Sequence, residues 1–196
     1  MVVSTMIFYG PLNIYESGQP FNYIFFCIYM KGDGFDPSAC KEYVNSTFES
    51  SVYQSLFDYI KIKNLSRAYD PEWATNGLLE EAAEHIKSWV QGFGIKGLTT
   101  EIIKDEGYTP LIYTEIAGDI PDMTVLFYGH FDKQPYNEAD WDAPKHPYKP
   151  YREPTTDRLY GRGGADDGYS TYSSMLAVKT VQQQGHPIPS THPHYA

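Results

Sequence analysis

The sequence predicts a mixed α/β layer domain. Three observations carry that expectation: two stretches with apolar residues at helical spacing, three strand-like runs behind them, and a glycine-rich turn that opens a further helix. The order helix, helix, strand, strand, strand, loop, turn, helix describes a mixed sheet with flanking helices. No internal repeat or heptad is visible.

Residues 1–41 form an unassigned N-terminal segment. Gly10-Pro11, Gly18-Gln19-Pro20 and Gly32-Asp33-Gly34 are turn signals that divide it into short pieces. Tyr23–Met30 is apolar, yet shorter than the roughly 18 to 20 residues of a membrane-spanning helix. It reads as a buried strand or an aggregation-prone stretch. The folded domain is expected over 42–187, and 188–196 as a disordered tail without pattern.

Within that domain the first helix is expected over Ser46–Ile62, where Phe48, Val52, Leu56, Tyr59 and Ile60 share one side. The second runs from about Gly77 to Gln91. Asn76 is its expected cap, Glu80 and Glu81 suit the positive end of the helix dipole, and Leu79, Ala82, Ala83, Ile86 and Val90 make its stripe. Gly92 and Gly94 end it. Strands follow at Thr99–Lys104, Leu111–Ile116 and Thr124–Tyr128. The last is apolar throughout, as in a strand covered on both faces. A long loop over 133–156 carries Pro135, Pro144, Pro147, Pro150 and Pro154, which exclude an interior strand. A hairpin-like piece at Asp157–Tyr160 then leads into the glycines, and a helix is expected over Asp167–Gln183.

A net charge of −10 and a pI near 4.9 exclude the basic footprint of sequence-independent nucleic-acid binding. No membrane association is expected, and the N-terminus lacks the features of a signal peptide. Cys27 and Cys40 are too few for a disulfide framework and fit a reducing, cytoplasmic setting. Asn45 and Asn64 stand in glycosylation sequons, which carry weight only in a secreted chain.

Two motifs carry chemistry. Thr124–Asp132 is an apolar run ending in Gly129-His130-Phe131-Asp132. In extended backbone His130 and Asp132 project to the same side, and Gly129 lets the chain leave the sheet between them and the strand. His130 is a natural metal ligand, and Asp132 suits the role of accepting its other ring N–H. The second motif, Leu159-Tyr160-Gly161-Arg162-Gly163-Gly164-Ala165-Asp166-Asp167, ends in paired carboxylates that repel unless a cation or donors offset them. Asp166 is placed to bridge metals and Asp167 to cap the next helix. The plainer alternative is a glycine turn with an aspartate cap. Arg162 reads as a salt-bridge partner within the turn, and His85 as a solvated side chain on its helix.

In this order and spacing the motifs resemble the M20 metallopeptidases, in the branch of the carnosinases and cytosolic dipeptidases. The resemblance rests on Gly129-His130-Phe131-Asp132-Lys133-Gln134-Pro135, Trp141-Asp142, Pro147-Tyr148 and Leu159–Asp167, and spans roughly Ser46–Pro187. It implies a zinc-peptidase-like catalytic domain with a pair of zinc (or manganese) ions that hydrolyse the amide bond of dipeptides or small peptides. By that resemblance His130 binds one metal, Asp166 bridges both, Asp132 orients His130, and the complete protein can form a homodimer. Gly168-Tyr169 replaces the Lys-Gly of that pattern, and its general-base glutamate and later ligands are not found in these 196 residues. The expectation is a partial catalytic domain with little or no peptidase activity alone. The alternative is a non-catalytic binding or structural subunit of the same descent.

Overall fold

A computed structural model describes residues 36–195, together with four short strand pieces nearer the N-terminus: β1 (Ile7–Phe8), β2 (Ile14–Glu16), β3 (Gln19–Pro20) and β4 (Phe25–Phe26). Of the strand expected over 23–30, only β4 falls among the described residues.

The first helix, α1 (Pro37–Thr47), starts well before Ser46 and crosses the boundary expected at residue 41. Asp36 accepts hydrogen bonds from the Ser38 and Ala39 amides at 2.8 and 3.2 Å, and Pro37 has no N–H to leave unpaired. Only Cys40 of α1 is buried, so no apolar stripe announces the helix. A π-helical turn at Phe48–Val52 joins it to α2 (Tyr53–Lys61). Side chains of α3 (Leu78–Gly92) take up nearby carbonyls: Trp89 donates to Ser51 O at 3.3 Å, and His85 Nε2 lies 2.8 Å from Ser55 O. His85 is therefore a packed, hydrogen-bonded residue rather than a solvated one. The stripe of α3 is buried as expected, but its N-cap is Gly77 rather than Asn76, whose Oδ1 accepts from the Leu78 amide at 3.0 Å.

The main sheet has the order β5 (Leu98–Ile103), β6 (Leu111–Ile116), β10 (Pro189–Tyr195), β7 (Ile120–Gly129). β5 and β6 are antiparallel, while β10 runs antiparallel to β6 and parallel to β7. The tail expected to be disordered is thus an interior strand. Its side chains show no period because the slot between β6 and β7 offers backbone partners on both edges. Ile188 O starts the pairing by accepting from Asp119 N at 2.7 Å and Ile120 N at 3.1 Å. Pro189 and Pro193 contribute no N–H, so this ladder is short of donors.

Helices α3 and α4 (Tyr169–Gln183) bury one face of the sheet around Ile112, Ile116, Ile86, Val90, Met175 and Val178. The opposite face is open at β7, where Leu126 is 64% and Tyr128 72% exposed. The continuous apolar run therefore reflects a strand with one covered face here, not two. A second sheet orders β3, β2, β9 (Leu159–Tyr160) and β8 (Tyr151–Arg152), with β8 and β9 antiparallel as the hairpin expectation required.

The end of α4 ties the helices together. Lys179 donates to Phe93 O and Gly94 O at the end of α3, Gln182 bonds Lys96 N and O, and Gln184 bonds Asp36 N and O. At the other end, a Cβ added to Gly168 would run into the Tyr59 ring and Gly163 O. Gly168→Ala is expected to cost about 1–3 kcal/mol through overpacking, read as a lower urea midpoint; an unchanged midpoint would mean the packing is looser than described.

Candidate functional site

The site forms where β7 leaves the sheet. A Cβ on Gly129 would strike the Ser170 side chain, so only glycine lets β7 approach the start of α4 this closely. Phe131 and Lys133, just past β7, are fastened to the end of α2 and the segment that follows. Phe131 O accepts from Tyr59 Oη at 2.6 Å and Asn64 Nδ2 at 2.5 Å. Lys133 N donates to Asn64 O, and Ser66 N to Lys133 O, both at 2.9 Å. The Lys133 side chain turns inward, fully buried, and its ammonium donates to Tyr59 O, Ile60 O and Ile62 O at 2.8, 3.2 and 2.5 Å. Burial pulls its pKa well below the ordinary lysine range. Three donors facing three carbonyls at a helix C-terminus match the ammonium form.

The glycine-rich turn approaches from the other side. Gly163 has φ +79°, and a Cβ there would occupy the space of the Lys133 methylenes. Gly168 N closes the turn on Gly163 O at 3.0 Å, and the Asp166–Asp167 peptide bond is cis.

These two supports bring the motifs together. His130 Nδ1 lies 2.9 Å from Asp132 Oδ1, and His130 Nε2 lies 3.2 Å from Asp166 Oδ1. The hydrogen bond to Asp132 is the largest cause that raises the His130 pKa to about 9, against desolvation, with Asp167 and Asp166 adding to it. Burial pushes Asp132 up, but hydrogen bonds from His130 and Ser66 hold it below its usual value. Asp167 is raised by burial. It does not cap α4, whose N-cap is Gly168 with no side-chain bond. Its Oδ2 instead accepts from the His130 amide at 3.3 Å, tying the turn to the end of β7.

Arg162 lies outside this cluster, its guanidinium 5.9 Å from the Trp141 ring centroid. Tyr136 packs edge-on against Tyr148, with ring centroids 5.1 Å apart. Tyr59, Asn64 and Lys133 are the residues that sequence reasoning missed. Asn64 is fully buried, which removes it as an accessible sequon. The sole signal for Lys133 is its place next to Asp132, since burial of a lysine by backbone carbonyls leaves no periodicity.

An imidazole nitrogen and a carboxylate oxygen converging from separate motifs have the donor chemistry a divalent metal requires. They are two donors, whereas zinc ordinarily takes three or four protein ligands. Among the described residues no group of three His, Cys, Asp or Glu side chains is disposed to hold a metal ion. No helix among them is long and apolar enough to cross a membrane.

Residues 126–191, which contain both motifs, match the family model of Peptidase family M20/M25/M40. The di-peptidase Dug1p from Saccharomyces cerevisiae superposes on 81% of this chain and 34% of its own, with a TM-score of 0.63 at 20% identity. Human carnosine dipeptidase 1 does so over 81% and 33%, with a TM-score of 0.61 at 21% identity. The chain spans about a third of the length of these structures. Over the part it covers, the chain shares the fold of these two dipeptidase structures, and its segment 126–191 is similar to that peptidase family.

The pairing around Phe131 O sets an order of costs. Asn64→Ala removes a buried donor and is expected to cost about 1–3 kcal/mol, whereas Tyr59→Phe removes one hydroxyl bond at about 1 kcal/mol. Urea unfolding that ranked Tyr59→Phe as the more damaging would contradict the clamp described here.

Proposed function

We propose that this chain supplies part of a two-metal peptidase centre that hydrolyses the amide bond of dipeptides or small peptides. His130 and Asp166 are metal ligands in this reading, Asp166 bridging, and Asp132 orients His130. The supporting observation is the approach of His130 Nε2 to Asp166 Oδ1 at 3.2 Å while Asp132 holds Nδ1 at 2.9 Å.

Zinc or manganese bound there would lower the pKa of a coordinated water and polarise the scissile carbonyl. The work of this chain's residues is positional. Asp132 accepts a hydrogen bond from His130 Nδ1–H, which fixes the tautomer and presents Nε2 as a ligand atom. The carboxylate of Asp166 meets it from the glycine turn, and the bond from the His130 amide to Asp167 keeps the two motifs in register. A cytoplasmic setting and a homodimeric complete protein belong to the same reading.

Among the described residues no third His, Cys, Asp or Glu joins His130 and Asp166 in a metal-holding group, and in this reading the 196-residue chain has little or no peptidase activity alone. The same two-donor geometry favours a second reading, a non-catalytic binding or structural subunit. Metal titration of the purified chain separates them. In the peptidase reading zinc or manganese binds weakly and dialyses away, His130→Ala and Asp166→Asn abolish uptake, and Asp132→Ala lowers affinity about 10–100-fold. Binding that is indifferent to His130 and Asp166 rules out this centre. Steady dipeptide hydrolysis by the chain alone would overturn its incompleteness.

A further inference from the structure

The hydrogen bonds of the Lys133 ammonium go to backbone carbonyls at the end of α2 rather than to the carboxylates of the motifs. Phe131 O, Lys133 N and Lys133 O are all paired with residues 59–66, while Asp132 between them faces His130. The Lys133 side chain adds the longest reach of that set, ending on the carbonyls of Tyr59, Ile60 and Ile62. Those carbonyls lie at the end of α2, where Tyr59 O also accepts from the Ile62 amide at 3.1 Å. The ammonium also stands 4.2 Å from the Tyr59 ring centroid, whose hydroxyl holds Phe131. On its far side the methylenes fill the place that Gly163 leaves empty, three residues before Asp166. One buried cation thus contacts both the turn bearing His130 and Asp132 and the turn bearing Asp166.

We propose that Lys133 is a positioning residue for the candidate metal centre: seated on the end of α2, it sets the path of the chain after β7 so that His130 meets Asp132 and Asp166. This rests on the reading of His130 and Asp166 as ligands, and it names a residue that acts through them without touching the metal. A hydrophobic replacement keeps the volume and takes the ammonium away from Ile60 O and Ile62 O, while Tyr59 O keeps the Ile62 amide. The turn is then free to shift, and a misplacement of an ångström is enough to separate the donors.

A matched control exists in the same chain. Lys179 also ends on helix C-terminal carbonyls, those of Phe93 and Gly94, far from the motifs in sequence. The test compares Lys133→Met and Lys179→Met in the full chain by urea unfolding, zinc titration, and the NMR resonance of the His130 Nδ1 proton bonded to Asp132. Both variants are expected to lower the urea midpoint. Only Lys133→Met is expected to weaken zinc binding, by about tenfold or more, and to shift the Nδ1 proton resonance upfield or abolish it. Lys133→Cys alkylated with bromoethylamine, which rebuilds an ammonium of the same reach, is expected to restore both.

Equal effects of the two methionine variants, or an unmoved Nδ1 proton resonance in Lys133→Met, would overturn the proposal. If the wild-type chain takes up no zinc, the ligand reading fails, and the proton resonance alone decides the role of Lys133. If Lys133→Met does not fold by circular dichroism, the alkylated and unalkylated cysteine proteins decide it. Failure of these to fold as well would reduce Lys133 to a purely structural residue and end the proposal.

Discussion

The end of α2 imposes the constraint from which the site is built. A helix that stops inside a core leaves carbonyls that water cannot reach, and each must find a donor. Here the donors arrive from the stretch that carries His130 and Asp132: the Lys133 ammonium takes Tyr59 O, Ile60 O and Ile62 O, while the Lys133 amide takes Asn64 O. Satisfying α2 and placing the motif are therefore one event. The chain leaves β7 along the single path that keeps these bonds, and Tyr59 and Asn64 fix Phe131 midway between the two functional side chains.

The same physics recurs at the other end of the helical layer. Lys179, Gln182 and Gln184 near the end of α4 bond backbone at the end of α3, at Lys96 and at the start of α1. Its N-terminal end abuts Gly129 and the Tyr59 ring through Ser170 and Gly168. Helix α4 thus makes contacts at both ends. Asp166 and Asp167 are held by an element whose burial around Met175 and Val178 makes it part of the core.

Much of this was legible in the sequence. The stripe of α3, the limits of β6, the hairpin at Leu159–Tyr160 and the two motifs all follow from periodicity and turn chemistry that act over a few residues. What stayed hidden depends on partners distant along the chain. The start of α1 is a capping event at Asp36-Pro37 with almost no apolar stripe to mark it. Strand β10 takes its place from the edges of β6 and β7, and its prolines argue locally against a strand. The bond from His130 to Asp167 and the burial of Asn64 and Lys133 likewise arise only once α2, β7 and α4 meet.

The electrostatics of the cluster connect this framework to its chemistry. Asp132, Asp166 and Asp167 surround one imidazole in a half-buried setting, and three carboxylates so close are mutually unfavourable without positive charge. The His130 proton supplies it: its pKa of about 9, raised chiefly by the bond to Asp132, is the measure of how strongly these groups hold a cation. Nε2, the nitrogen that faces Asp166 at 3.2 Å, is also the atom that would bind a metal. In the proposed centre proton and divalent ion would compete for this position, so metal uptake would release the proton. Asp132 would there accept from Nδ1–H in either state, leaving the Nε2 proton as the one exchanged. A framework that places one carboxylate on each imidazole nitrogen therefore favours whichever cation brings more charge to the pair.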